Sequence, residues 1–178
     1  MPHRLFVAIR PPPRVRDALI DTMEGLEGAR WQDDDQLHLT LRFCGECGIE
    51  QANDLGAALA RIRAKPFHLA IRGAGHFEKR GRPHTLWAGL APSAELLALQ
   101  KGVEQACQRA GFAPEGRKFA PHITMARVNA GTAPLGPWLA AHGDLCVPPF
   151  TAKEFILYES HLGETGSLYE PVVRYTLD

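Results

Sequence analysis

Apolar and polar positions along the chain switch between a period near two and a period near 3.6, and the switches mark its elements. Residues 5–9 form a continuous apolar run that predicts a buried strand. Pro11, Pro12 and Pro13 end it and open a helix, on which Val15, Ala18, Leu19, Thr22, Met23 and Leu26 recur as one apolar stripe. Gly25 and Gly28 close that helix. From Trp31 a linker runs through Asp33, Asp34 and Asp35 into a strand over 37–43, which Gly45 and Gly48 stop. A second helix follows over about 50–63, with Leu55, Ala58, Leu59 and Ile62 on one side. Residues 67–77 and 84–90 predict a hairpin around the polar loop 78–83. Pro92 and Ser93 start a third helix, striped by Leu96, Leu99, Val103, Ala106, Cys107 and Ala110 and stopped by Gly111. After Pro121 come a strand over 122–128, a loop over 131–137, a short helix from Trp138, and strands near 151–161 and 169–177. Hairpins mixed with helices predict an α+β fold, not a doubly wound parallel sheet. No composition break divides the chain, so residues 1–178 are read as a single domain. Its faint self-similarity fits two related lobes.

Two short strings stand out within this pattern. His38-Leu39-Thr40-Leu41 and His122-Ile123-Thr124-Met125 both read His, apolar, Thr, apolar. On a strand successive side chains alternate faces. His38 and Thr40 therefore share one face while Leu37, Leu39 and Leu41 share the other. His122 and Thr124 likewise oppose Ile123 and Met125. One such string is ordinary, because Thr is a good strand former. Two in matched apolar contexts, half a chain apart, are not. Facing strands of this kind would gather two imidazoles and two hydroxyls in one cleft.

The parity argument extends to the flanking residues. Arg42 shares the parity of His38 and Thr40, and its forked donors suit a phosphate. Arg127 has the parity opposite to His122 and reaches the cleft only if the strand bulges after Met125. Phe43 has the parity of Leu39 and Leu41, which places it in the core. His84-Thr85 lacks the intervening residue, so its two side chains point to opposite faces, as at a hairpin edge. His68, His76, His142 and His161 have no partner at a telling spacing.

Charge and composition narrow the function. The formal net charge is +0, so no protein-wide field draws a polyanion, and any such ligand needs a local patch. Arg61, Arg63, Lys65, Arg72, Lys79, Arg80 and Arg82 offer one, and Arg117, Lys118 and Arg127 surround the second string. Of the 4 Cys, Cys44 and Cys47 have a redox or zinc spacing. A second Cys pair is missing, and the two follow a strand on a Gly-containing turn, so ordinary thiols of a reducing compartment are expected. No stretch approaches the roughly 20 apolar residues of a membrane span, and the start is not a signal peptide. A cytoplasmic monomer without a membrane partner is the expectation. Phosphate-loop and dinucleotide fingerprints are absent, which argues against nucleoside triphosphate and NAD enzymes.

The His and Thr set suits cleavage of a phosphodiester without a cofactor. Opening a 2′,3′-cyclic phosphate needs a base to take a proton from water and an acid to protonate the departing oxygen. Imidazole, titrating near pH ~6.5, does both. Thr hydroxyls aimed at the non-bridging oxygens would stabilise the transition state as oxyanion donors do. Which His is acid and which is base stays open. Two alternatives stand beside this reading: an RNA-binding module without turnover, and a metal-dependent phosphoesterase with the histidines as ligands and Asp33 to Asp35 helping.

On these residues the chain resembles the two-histidine phosphoesterase superfamily, and within it the RNA 2′,3′-cyclic phosphodiesterases, also called 2′–5′ RNA ligases. The likeness covers nearly the whole length: Arg4-Leu5-Phe6-Val7-Ala8-Ile9, Leu37 to Phe43 with Gly45-Glu46, Leu86-Trp87-Ala88-Gly89-Leu90, Arg117 to Arg127, and Ser160, Leu162, Gly163 and Tyr169. The resemblance implies a bilobal α+β fold, two pseudo-symmetric lobes related by a pseudo-twofold, each with an antiparallel sheet and helices, around a central cleft, and His38, Thr40, His122 and Thr124 as the catalytic set. It also implies metal-independent opening of a cyclic phosphate at RNA ends or cyclic nucleotides to a 2′-phosphate, with reversible 2′–5′ joining in some relatives. Cys44 stands where the family often has an aliphatic residue, and Met125 replaces a common Leu.

Overall fold

The computed structural model describes residues 2–164 and 166–178. Its nine strands form one antiparallel sheet. They are β1 (His3–Ile9), β2 (Arg30–Trp31), β3 (Leu39–Cys47), β4 (Phe67–Lys79), β5 (Arg82–Leu90), β6 (His122–Arg127), β7 (Cys146–Ala152), β8 (Glu154–Gly163) and β9 (Gly166–Thr176). The helices are α1 (Pro13–Ile20), α2 (Ile49–Leu59), α3 (Ala94–Arg109) and α4 (Gly136–His142). The strand order is β7-β4-β5-β6-β3-β1-β8-β9, with the short β2 beside β6. Each half of that order holds four strands, and the halves join between β3 and β6. The expected α+β fold is therefore present, with its two sheets merged edge to edge into one.

One face of the sheet carries the main core. Leu5, Val7 and Ile9 of β1, Leu39 and Leu41 of β3, and Ile123 of β6 pack there against Leu55 and Leu59 of α2 and Leu96, Leu99 and Val103 of α3. These are the apolar stripes that the helical spacing predicts. The Ser93 hydroxyl caps α3 by accepting from Leu96 N. On the other face Phe6, Ala8, Ile156 and Tyr158 form a smaller cluster, and this face carries the histidines.

Several elements differ from the periodicity: β3 runs on to Cys47, α2 ends at Leu59, and the short β2 lies at the start of the expected linker. α1 stops at Ile20 because the Thr22 hydroxyl donates to the Leu19 carbonyl at 2.7 Å and Gly25 turns the chain at φ +76°. The polar loop 78–83 is a two-residue turn, Arg80-Gly81, with both φ values positive (53° and 75°), so the hairpin strands run on to Lys79 and Arg82. β7 starts at Cys146, ahead of the strand expected near 151, and carries Pro148 and Pro149, residues that strands rarely hold. It is an edge strand beside β4, and the two prolines fall where the register shifts between Leu69 and Ile71, so the missing N–H groups cost no ladder bonds, and Arg14 of α1 donates to both proline carbonyls.

A candidate phosphoester cleft

The halves meet at a single residue pair, Leu39 of β3 against Ile123 of β6. Beyond it the strands diverge, and β2 takes over pairing with β6 at Ala126 and Arg127. Continuing that antiparallel register by one residue sets His38 opposite Thr124 and Thr40 opposite His122, on the face away from the core. The two histidines then lie on a diagonal across this seam. The sequence expectation that two far-apart strings share one face is met through adjacent strands of one sheet.

Each string contains a bulge. Along β1, Ala8 pairs with Thr40 but Val7 pairs with Arg42, so Leu41 is the extra residue. Along β5, Trp87 pairs with Thr124 but Leu86 pairs with Ala126, so Met125 is the extra residue. Both fall at the fourth position of the string, and both invert the parity that follows. Arg127 turns into the cleft, where its guanidinium donates to Thr85 Oγ1 at 2.9 Å.

Arg42 turns the other way, which corrects its expected face: it borders the second, aromatic arm of the cleft from the α3 side, with its guanidinium already engaged by the fold. It turns to the core face and is 7% exposed. Its guanidinium bonds Glu104 of α3, the Phe43 carbonyl and the Ala113 carbonyl. Phe43 takes the cleft position instead and is 46% exposed, with the Arg4 guanidinium 5.3 Å from its ring centre. The core placement of Phe43 is thus overturned by the same bulge. A repeated string was visible in the sequence, and an equal bulge in each copy could have been asked of it.

Aromatic rings of its own half brace each histidine. His38 is 6% exposed and lies edge-to-face with Tyr158 at 4.6 Å and Tyr169 at 5.4 Å. His122 lies edge-to-face with Phe77 at 4.7 Å. The His122 Nδ1–H donates to the Ala120 carbonyl at 2.7 Å, which leaves Nε2 free to take or give a proton. The His38 Nδ1 is buried without a well-formed partner, and the Gln36 carbonyl, also two residues upstream, stabilises its charged form. Burial pushes the His38 pKa down to about 4, helped by Arg10 and Arg16 and opposed by Gln36 and Asp34. Burial also lowers His122, with the charge of Arg127 adding to it and the Ala120 carbonyl opposing it.

The cleft has two arms. One, of about 240 Å³, is lined by Arg4, His38, Thr40, Phe43, Thr124 and Arg127 among others. The second, of about 540 Å³, is more aromatic and is lined by Phe43, Phe77, His84, Lys118, Phe119 and His122 among others. Thr40 and Phe43 border both. Sequence reasoning missed Arg4, Phe43, Phe77 and His84 as cleft residues. The basic residues Arg61, Arg63 and Lys65 line a separate basin of about 980 Å³ that shares no residue with either arm.

Cys44 and Cys47 do not follow the strand but lie within it, across a bend at Gly45 (φ +82°). The Cys44 sulfur sits 3.6 Å from that of Cys107, on α3. Among the described residues no three His, Cys, Asp or Glu side chains come together as a metal-binding group. The Asp33 to Asp35 run instead caps a short 3-10 turn and pairs with Arg10 and Arg16. No helix among the described residues is long and apolar enough to cross a membrane.

The family model described as LigT like Phosphoesterase matches residues 9–87 and 90–169, one string in each stretch. The chain belongs to this family. A curated relative from Geobacillus stearothermophilus, named RNA 2′,3′-cyclic phosphodiesterase, is 33% identical over 97% of the chain, which spans only 56% of that relative's length. One of the same name from Aeropyrum pernix is 34% identical over 88% of the chain and 89% of its own length. Among solved structures, Escherichia coli LigT complexed with 3′-AMP superposes with a TM-score of 0.82 at 29% identity, over 99% of both chains.

Proposed function

We propose that this LigT-like protein hydrolyses RNA 2′,3′-cyclic phosphodiesters to 2′-phosphomonoesters, with residues 1–178 acting as one bilobal unit around the cleft. The pairing of Leu39 with Ile123, whose register extended by one residue opposes His38 to Thr124 and His122 to Thr40, carries this reading. The name shared by the Geobacillus and Aeropyrum relatives supports the substrate.

In the reaction a water oxygen bonds to phosphorus as the bond to O3′ breaks. One imidazole takes the water proton and the other gives a proton to O3′. His38, which burial keeps neutral down to about pH 4, suits the base. His122 suits the acid, because its Nδ1–H already rests on a carbonyl and a phosphate anion beside it favours the imidazolium. Thr40 and Thr124 donate to the non-bridging oxygens, each such donor being worth about 3 kcal/mol in the transition state. Arg127 supplies positive charge to the same oxygens. A 5′-hydroxyl in place of water would give a 2′–5′ linkage by the same proton transfers. No step calls for a metal ion.

The test is turnover of a 2′,3′-cyclic nucleotide and of cyclic-phosphate-ended RNA in the presence of EDTA. His38→Ala and His122→Ala should each lower kcat by about 10²–10⁴-fold. Retention of full activity by either variant, or loss of wild-type activity on chelation, would overturn the proposal.

A further inference from the structure

Arg127 enters the cleft from a strand end, and one buried group fixes where its guanidinium lies. Thr85 of β5 pairs with Arg127 across the ladder and is 1% exposed. Its Oγ1 accepts from Arg127 Nη1 at 2.9 Å and lies 2.8 Å from His84 Nδ1. Arg127 has no acceptor to offer, so the Thr85 hydroxyl proton is free to go to His84, whose Nδ1 can accept it. The chain of bonds therefore runs from Arg127 to Thr85 to His84, and it aims a Thr85 lone pair at the arginine. Arg127 forms no ion pair among the described residues, whereas Arg10, Arg16, Arg42, Arg117 and Arg174 each pair with a carboxylate. A neutral acceptor holds the side chain without neutralising it, which leaves its charge for an anion.

We infer that Thr85 is a positioning residue that holds Arg127 against the phosphate in the cleft, with His84 orienting the Thr85 hydroxyl. This rests on the reading of the cleft as a phosphate site. The His84-Thr85 pair, which the sequence places at an unremarkable hairpin edge, thereby acquires a role. His84 borders the aromatic arm with His122, and Thr85 lies behind the arginine that borders the other arm.

Thr85→Val keeps the shape of the side chain at a closed position and removes the acceptor. Two readouts are measured on the full chain: KM and kcat for a 2′,3′-cyclic nucleotide, and calorimetric Kd for adenosine 2′-phosphate, which needs no turnover. The expected result is a rise of about fivefold in both KM and Kd, with a smaller fall in kcat and an unshifted pH optimum. Thr85→Ser should restore both constants. In an Arg127→Ala background Thr85→Val should have no further effect, since the group it positions is gone. Unchanged KM and Kd in Thr85→Val, failure of Thr85→Ser to rescue, or full additivity with Arg127→Ala would each overturn the inference. Absence of turnover in the wild type would sink the hydrolase reading alone, and the Kd series would still decide the role of Thr85.

Discussion

Replacing Arg42 by Met separates a structural role from a phosphate-binding one. The side chain is 7% exposed and bonds Glu104 and two backbone carbonyls, so all three guanidinium nitrogens are engaged within the fold. Removing one partner of a buried ion pair typically costs about 3–5 kcal/mol. Here the stranded Glu104 is 17% exposed and still accepts from Gln108 and from the Glu115 N–H, which puts the cost near the lower end, about 3 kcal/mol. For a chain of this size that corresponds to a fall of about 6–12 °C in Tm. Thermal unfolding followed by circular dichroism gives the first number, and KM for a 2′,3′-cyclic nucleotide, measured well below the melting range, gives the second. A large fall in Tm with KM within about twofold of the parent is expected. An unchanged Tm with a KM raised tenfold or more would show that the arginine serves the substrate, and the assignment made from the bulge at Leu41 would be wrong.

Stability should also depend on pH through His38. Its folded pKa lies below its unfolded value of about 6.5, so the unfolded chain binds the proton first and stability falls as pH drops from ~6.5 towards ~4. The loss is of order 3 kcal/mol, and urea unfolding at a series of pH values should show it shrink in His38→Gln. At Gly75 an added Cβ would lie 2.5 Å from the Trp87 ring, so Gly75→Ala should destabilise by about 1–3 kcal/mol. Because Trp87 pairs with Thr124, the same variant should lower kcat; an unaltered Tm and kcat would mean that the ring has room to move.

The element order, the α+β class and the two His-x-Thr strings depend on local periodicity, and the chain carries that period in its own residues. Ser93 and the α3 stripe from Leu96 to Cys107 needed no knowledge of the rest of the fold. Whether β3 and β6 would lie side by side, and in which register, depended on strands brought together from half a chain apart. The bulges at Leu41 and Met125 are decided there too, since a residue is extra only relative to the strand it pairs with. Alternation put His38, Thr40, His122 and Thr124 on the face where the sheet has them, bordering the cleft, because they precede the bulges. It misplaced Arg42 and Phe43, which follow one, and could admit Arg127 only on the condition of the other. Only the assembled sheet, through its pairing with β1 and β5, determined which of these side chains meet the cleft.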